Sequence, residues 1–477
     1  MTLFRKLKED WLRPFLFYGN NLLSLIGGAL TTASAVILVG FWVVDIFGHS
    51  GSTNPYIGLV LIFGLPALFI LGLILIPIGI WFRRRHLRQA GQVPSAFPTI
   101  NFNDPVFRRG VDIVVIATFI NVVIVGTASY RAVADMETPA FCGSTCHVMA
   151  PEGTAYALSP HSHVACVDCH VGTGATSYIK AKVNGTKQLI EVVLNTYPHP
   201  IESPVKNLRP AREICEGCHT PAKFIGEKLL VKTSFGDDEK NAMTKTLVLL
   251  HLGGRDSLSH LTGIHGVHLG HIEYIASDRA RQVIPWVSKR NADNSTTDFI
   301  STDNKGPISG EKRLMDCIDC HNRAAHTFEV PEEALNRAMV EGSPSATLPF
   351  IHKQGLSLIK ATYTSQEDAT AKITAGVQSF YRSQYPAVWI AQRAQIDQAA
   401  TTLVAIYAAN VFPFMKVTWG THPNNVGHTN SPGCFRCHDG SHNAKGGKSI
   451  TNDCAACHNL LAVDEANPKL LADLGIN

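Results

Sequence analysis

Three stretches of the chain are apolar almost without interruption: Leu22–Phe47, Ile57–Phe82 and Val111–Tyr130. A hydrocarbon core about 30 Å thick takes roughly 20 helical residues to cross. A run such as GLVLIFGLPALFILGLILIPIGIWF has no polar face to offer water, so each stretch is expected to be a transmembrane helix rather than a buried hairpin of a soluble core. Two more spans follow the first and no small-residue cleavage site closes it, which sets this start apart from a signal peptide. After Tyr130 the apolar runs become short and broken. Helical periodicity is expected over 332–340 and, alanine-rich, over 365–412. The expected fold is mostly α with much irregular loop: three transmembrane helices over 1–130, then a larger part outside the membrane.

Charge orients the anchor. Arg5, Lys6, Lys8 and Arg13 precede the first span, and Arg83, Arg84, Arg85, Arg88, Arg108 and Arg109 lie between the second and third. The loop 48–56 has no Lys or Arg. The positive-inside rule therefore places the N-terminus and the 83–109 loop in the cytoplasm and residues 131–477 on the outer side. Residues 1–130 carry a balance of +5 and the rest −1, which together give the net +4. The basicity belongs to the cytoplasmic edges of the anchor and implies no nucleic-acid partner. Segment 4–18 mixes basic and aromatic residues, as an interfacial segment or a solvated leader would.

All twelve cysteines lie beyond position 140, and they fall into six motifs: Cys142-GST-Cys146-His147, Cys166-VD-Cys169-His170, Cys215-EG-Cys218-His219, Cys317-ID-Cys320-His321, Cys434-FR-Cys437-His438 and Cys454-AA-Cys457-His458. Five read CxxCH and the first CxxxCH. Zinc ribbons also use CxxC pairs but need no histidine after each second cysteine, and a disulfide would leave that histidine idle. Covalent haem c needs all three residues, two thiols for the vinyl groups and an imidazole for the iron. Six haems c are expected, on the outer side where such attachment takes place. About 58 residues per haem leave little for a conventional core around each. The porphyrins are therefore expected to supply much of the buried apolar surface, with short helices and loops wrapped around a haem chain. The uneven motif spacing suggests a three-haem region over 131–225 and a second three-haem region over 226–477.

The stretch FCGSTCHVMAPEGTAYALSPHSHVACVDCHVGTG (141–174) resembles the first two haem sites of the NapC/NirT family of quinol dehydrogenases, including its NrfH branch, which read FCxxCHxM, SxH and CxDCH. The resemblance implies that Met149 binds the first iron and that His161 is a distal ligand to another haem. It also makes His147 less secure as a ligand than the other proximal histidines. It continues more weakly through 178–188 and 196–219. There it implies a quinol-site lysine, filled by Lys182 or Lys180, with Asn184 where an acidic partner is expected, and a distal histidine at His199. A solvated face is the plainer reading of the lysines. The CxxxCH spacing departs from the family's CxxCH, and the two-span hairpin and long extension depart from its single span and four haems. The longer plan is similar to inner-membrane multihaem cytochromes of metal-respiring bacteria.

Beyond the resemblance, distal ligands must come from the spare histidines. GIHGVHLGHIEY offers His265 and His268, and His326 follows the fourth motif closely. His428 is the first choice for the C-terminal pair, with His422 and His442 behind it. The expected function is a quinol dehydrogenase of the bacterial cytoplasmic membrane, acting on menaquinol and passing electrons to periplasmic c-type cytochromes or a reductase. The alternative is an electron-transfer subunit that binds no quinol and meets a membrane partner through the 1–82 hairpin. A terminal reductase is disfavoured, since there is no CxxCK motif.

Overall fold

The computed structural model describes residues 17–47, 64–93, 134–171, 175–205, 210–220, 226–253 and 263–475, Leu208 and scattered residues between 116 and 131. It divides into two units, Met1–Phe141 and Cys142–Asn477.

In the first unit, α1 (Leu22–Phe47) and α2 (Leu65–Gln89) are long and apolar enough to cross a membrane. Among the described residues these are two such helices, not the three expected. The third run, 111–130, lies largely outside the described residues, although Ile116, Phe119, Ile120, Val122 and Val123 within it are helical and exposed. The loop 48–56 and segment 4–16 also lie outside them. The second helix does not stop at Phe82 but runs on through the arginines to Gln89. Basic residues in a last turn complement the helix dipole, and Arg83 and Arg85 lie over the rings of Phe17 and Trp81.

Hydrocarbon gives no hydrophobic drive to pair two apolar helices, so close backbone packing must do it. A Cβ at Gly72 would stand 2.6 Å from the Gly27 carbonyl oxygen, and one at Gly79 2.7 Å from the Ser24 nitrogen. Ser24 Oγ donates across the interface to the Ile76 carbonyl at 2.9 Å, and Asn21 Oδ1 caps α1 by accepting from Ser24 N–H at 3.0 Å.

The second unit is helical with loops and two small sheets. A π turn (Phe141–Thr145) leads to a 3-10 turn (His147–Met149) and α3 (Ala150–Ala157). Then come α4 (Cys166–His170), α5 (Ala175–Val193) and α6 (Ala211–Cys215). Strands β1 (Glu227–Phe235) and β2 (Met243–His251) follow, then α7 (Gly263–His268). Next are β3 (Ile272–Ile275), β4 (Trp286–Arg290), β5 (Thr296–Ser301) and β6 (Lys312–Leu314). After α8 (Cys317–Cys320) the elements up to Asn410 are all helices joined by loops, and β7 (His442–Ala444) and β8 (His458–Glu465) complete the strands.

The strands were not expected. They form antiparallel sheets ordered β1-β2-β8 and β6-β3-β4-β5-β7, and both hold haem motifs. β6 ends just before the fourth motif, β7 begins just after the fifth, and His458 of the sixth is the first residue of β8. TKTLVLLH alternates only partly, because cover on both faces weakens the period-two signal.

The expectation that little of the chain is left for a conventional core does not hold everywhere. Between the fourth and fifth motifs, α9 (Pro331–Val340), α10 (Ile351–Ile359), α11 (Gln366–Gln384), α12 (Pro386–Ala391) and α13 (Arg393–Asn410) build an ordinary side-chain core. Leu335, Ile351, Ile359, Ile373, Ile396 and Leu403 in it are fully buried. The region carries no motif, so its apolar stripes must bury one another. The periodic run 365–412 is three helices because Pro386 lacks the N–H to continue α11 and so starts a new one. Ser365 caps α11 by accepting from Asp368 N–H at 3.1 Å.

Candidate functional site

The motif histidines are placed by short turns. In the second motif Cys166–His170 is one turn of α-helix. In the first, the additional residue is taken up by the π turn, whose i→i+5 bonding is one residue wider than that of an α turn. The wider turn presses on α3: a Cβ at Gly153 would stand 2.8 Å from both the Cα and the carbonyl oxygen of Gly143. Glycine is required on α3 at that contact.

The fourth motif is fixed by its own Asp319, 2% exposed. Its Oδ1 accepts from Tyr274 Oη at 2.7 Å, Arg281 Nη1 at 2.9 Å and Arg313 Nε at 2.9 Å. Asp316 and Asp319 form a reciprocal capping box at the start of α8. Removing one partner from a buried charged network of this kind costs about 3–5 kcal/mol. Arg436, inside the fifth motif, donates to the Asp319 carbonyl at 2.8 Å and to the Arg281 carbonyl at 2.8 Å, so the fifth motif grips the fourth. Neither residue was singled out in the sequence. The only signal was a charged residue at an inner motif position, which usually marks a solvated face.

Among the described residues no cluster of three or more metal-ligating side chains converges. The histidines instead meet two at a time. His161 lies 6.1 Å from His219 between ring centres, His170 6.2 Å from His326 and His265 6.4 Å from His321. His268 lies 5.8 Å from His438 and His428 6.0 Å from His458. Each pair joins one motif histidine to one from elsewhere in the chain. Two imidazoles bound trans to one metal at about 2.0 Å, each ring centre about 1.1 Å behind its nitrogen, would have centres roughly 6.2 Å apart. The residues therefore fit an iron between them.

Orientation agrees with that fit. His161 Nδ1–H donates to the Ala324 carbonyl at 3.0 Å, His326 to Glu152 at 3.0 Å, His268 to Ile264 at 2.7 Å and His438 to Thr451 at 2.6 Å. A ring fixed through Nδ1 presents Nε2 to a metal. Burial, with the facing His326 adding, holds His170 below the ordinary imidazole range. Burial does the same for His321, with His265 and His219 adding. The neutral ring is the one that binds iron.

The remaining expected ligands are placed otherwise. His199 does not reach a motif histidine: its ring lies against Tyr197, 4.4 Å between centres, and the place beside His219 is filled by His161. His442 has Nε2 on the Ile284 carbonyl at 2.8 Å and Nδ1 on Asp439 at 3.1 Å, so neither nitrogen is left over. His422 is buried against Phe328. Met149 is half-buried, while His147 is exposed and enters none of the five pairs. Val148 between them sits in an apolar cluster with Phe412, Met415 and Val417, against which Cys146 and Val192 of α5 also pack.

On α5 itself, Lys180 is exposed and Lys182 lies on the same helix. Val183, Ile190 and Leu194, all exposed, line a shallow groove of about 540 Å³ with Thr186, Lys187 and Glu191. Lys187 and Glu191 are ion-paired at 3.6 Å.

Apolar helices, attachment motifs and opposed imidazoles together define a class: a membrane-anchored multihaem c-type cytochrome of electron transport. The chain belongs to the NapC/NirT cytochrome c family. The model of that family's N-terminal region matches residues 107–202. Over 452 residues, 92% of this chain and 88% of the relative, it is 40% identical to the cytochrome c-type protein ImcH of Geobacter sulfurreducens. Over 84 residues, 17% of this chain and 50% of the relative, it is 31% identical to the cytochrome c nitrite reductase subunit NrfH of Nitratidesulfovibrio vulgaris. No solved structure matches it.

Proposed function

We propose that this protein is a quinol dehydrogenase of the bacterial cytoplasmic membrane that oxidises menaquinol and passes the electrons to periplasmic c-type cytochromes or a reductase. Spans over 1–130, namely α1, α2 and a third read from the apolar run 111–130, with the N-terminus in the cytoplasm, would hold residues 131–225 and 226–477 outside. Six haems c are attached through the twelve motif cysteines, with the motif histidines as proximal ligands and Met149 serving the first iron in place of His147. Bound there, haem supplies one-electron redox chemistry.

The observation that carries this reading is the joining of the first motif to α5 through one apolar cluster. α5 keeps apolar side chains exposed beside lysines, a surface that suits a quinol ring and its tail. Lys180 and Lys182 would hold the quinol oxygens. Oxidation of one quinol releases two protons outward and gives two electrons, taken one at a time. Purified holoprotein mixed with a menaquinol analogue is expected to show reduced haem bands, and the double variant Lys180→Ala/Lys182→Ala to lose at least tenfold in rate. Haems that stay oxidised in the native protein would overturn the proposal. Native rates in the double variant would favour an electron-transfer subunit fed by a membrane partner on 1–82.

A further inference from the structure

We propose that each of the five ring pairs closes on one haem iron, and that the six haems lie in space in the order of their motifs in the sequence, forming one unbranched row. The inference rests on the haem reading above but not on quinol oxidation.

The pairing assigns distal ligands that motif spacing leaves open. The one-and-a-half-turn helix α7 supplies two of them. His265 and His268, three residues apart, lie on one side of it, with the ring of His265 near-parallel to that of His321 of the fourth motif and His268 meeting His438 of the fifth. One short helix thus spans two consecutive haems, and Arg436 ties the same two motifs together from the other side. The segment after the fourth motif reaches back in the same way, with His326 facing His170 and the Ala324 carbonyl orienting His161.

Order follows from which motifs are neighbours. The thiols of Cys166 and Cys142 are hydrogen-bond partners, as are those of Cys215 and Cys317, and His161, just ahead of the second motif, faces His219 of the third. Arg436 of the fifth motif donates to the Asp319 carbonyl of the fourth, and the His438 ring is held by the carbonyl of Thr451, just ahead of the sixth. Each step joins a motif to the next one in the chain. α6 of the third motif also packs against α8 of the fourth.

The ring planes give a signature independent of turnover. In His265–His321 and His428–His458 the planes are 8° and 24° apart; in the other three pairs they are 63°, 55° and 60° apart. Low-spin ferric haem with near-parallel imidazole planes gives an ordinary rhombic EPR signal. Planes far from parallel bring two iron orbitals close in energy and give a strongly anisotropic signal with a large maximal g value.

The test is EPR of the oxidised full-length holoprotein, with signals integrated against total haem. Two haems in the rhombic bis-histidine class and three in the anisotropic class are expected. His265→Met should remove one haem from the first class, and His268→Met one from the second, each adding a histidine–methionine charge-transfer band in the near infrared. Five bis-histidine signals of one class would overturn the assignment, as would both variants depleting the same class. The native spectrum decides even if a variant fails to mature. For the order, pulsed measurement of label–iron distances from a spin label on Leu460→Cys, exposed and two residues beyond His458 of the sixth motif, should give the shortest distance to the signal lost in His428→Met and a longer one to that lost in His265→Met. The reverse ranking would overturn the row.

Discussion

His422 is buried against Phe328, and burial, with Arg323 and His326 adding, pushes its imidazole down to about 4. An unfolded histidine titrates near 6.5, so between those values the unfolded chain holds the extra proton and acidification favours unfolding. The stability owed to neutral His422 is complete above pH ~6.5 and is lost as pH falls towards ~4. A His422→Gln variant should therefore show a flatter fall of thermal midpoint across that window, read by melting at successive pH values; an unchanged slope would remove His422 as the cause. At the residue scale the sequence was most legible where spacing is local: five of the six motif histidines each meet a second histidine. It was least legible where a ligand comes from a distant segment. His199 has the right residue type at a plausible spacing, yet it lies against Tyr197 while His161 occupies the place beside His219.

At the element scale the same division holds. α1, α2 and the start of α9 were legible because length, apolar content, Pro331 and the acidic first turn all act locally. The strands were hidden because their pattern is set by the elements covering them, and the π turn because a single additional residue does not announce its geometry. Both glycine contacts make predictions. Gly153→Val would drive a side chain into the Gly143 backbone and distort the first attachment site. Haem per chain, by mass, is expected to fall by one in a substantial fraction of molecules while the other five remain. Gly72→Leu would force α1 and α2 apart at Gly27 and Thr31. The lost interface contacts are expected to lower the melting temperature of detergent-solubilised protein, with haem content unchanged; a native melting temperature would show that the contact carries no stability.

At the scale of the whole molecule, an unbranched row makes every haem an obligatory step, and that has a kinetic consequence. A histidine–methionine iron has a higher potential than a bis-histidine one. His268→Met, which would leave the fifth haem otherwise in place, should turn it into an electron trap between the fourth and sixth. For a one-electron step each ~59 mV of added depth costs tenfold in the equilibrium for onward transfer. Menaquinol should still reduce the haems before the trap at the native rate, since the first motif, Met149 and α5 are untouched, whereas reduction of a soluble cytochrome acceptor should slow by at least tenfold. Stopped-flow traces that follow the haem bands and the acceptor together separate the two phases. If acceptor reduction kept its native rate while the fifth haem was shown to be methionine-ligated, electrons would have a route around it and the row would be branched. If both phases slowed together, the substitution would have reached the entry site. The same logic places the exit at the sixth motif. His428→Met should hold electrons at the end of the row and slow the acceptor alone, by a factor set by the same rise in potential.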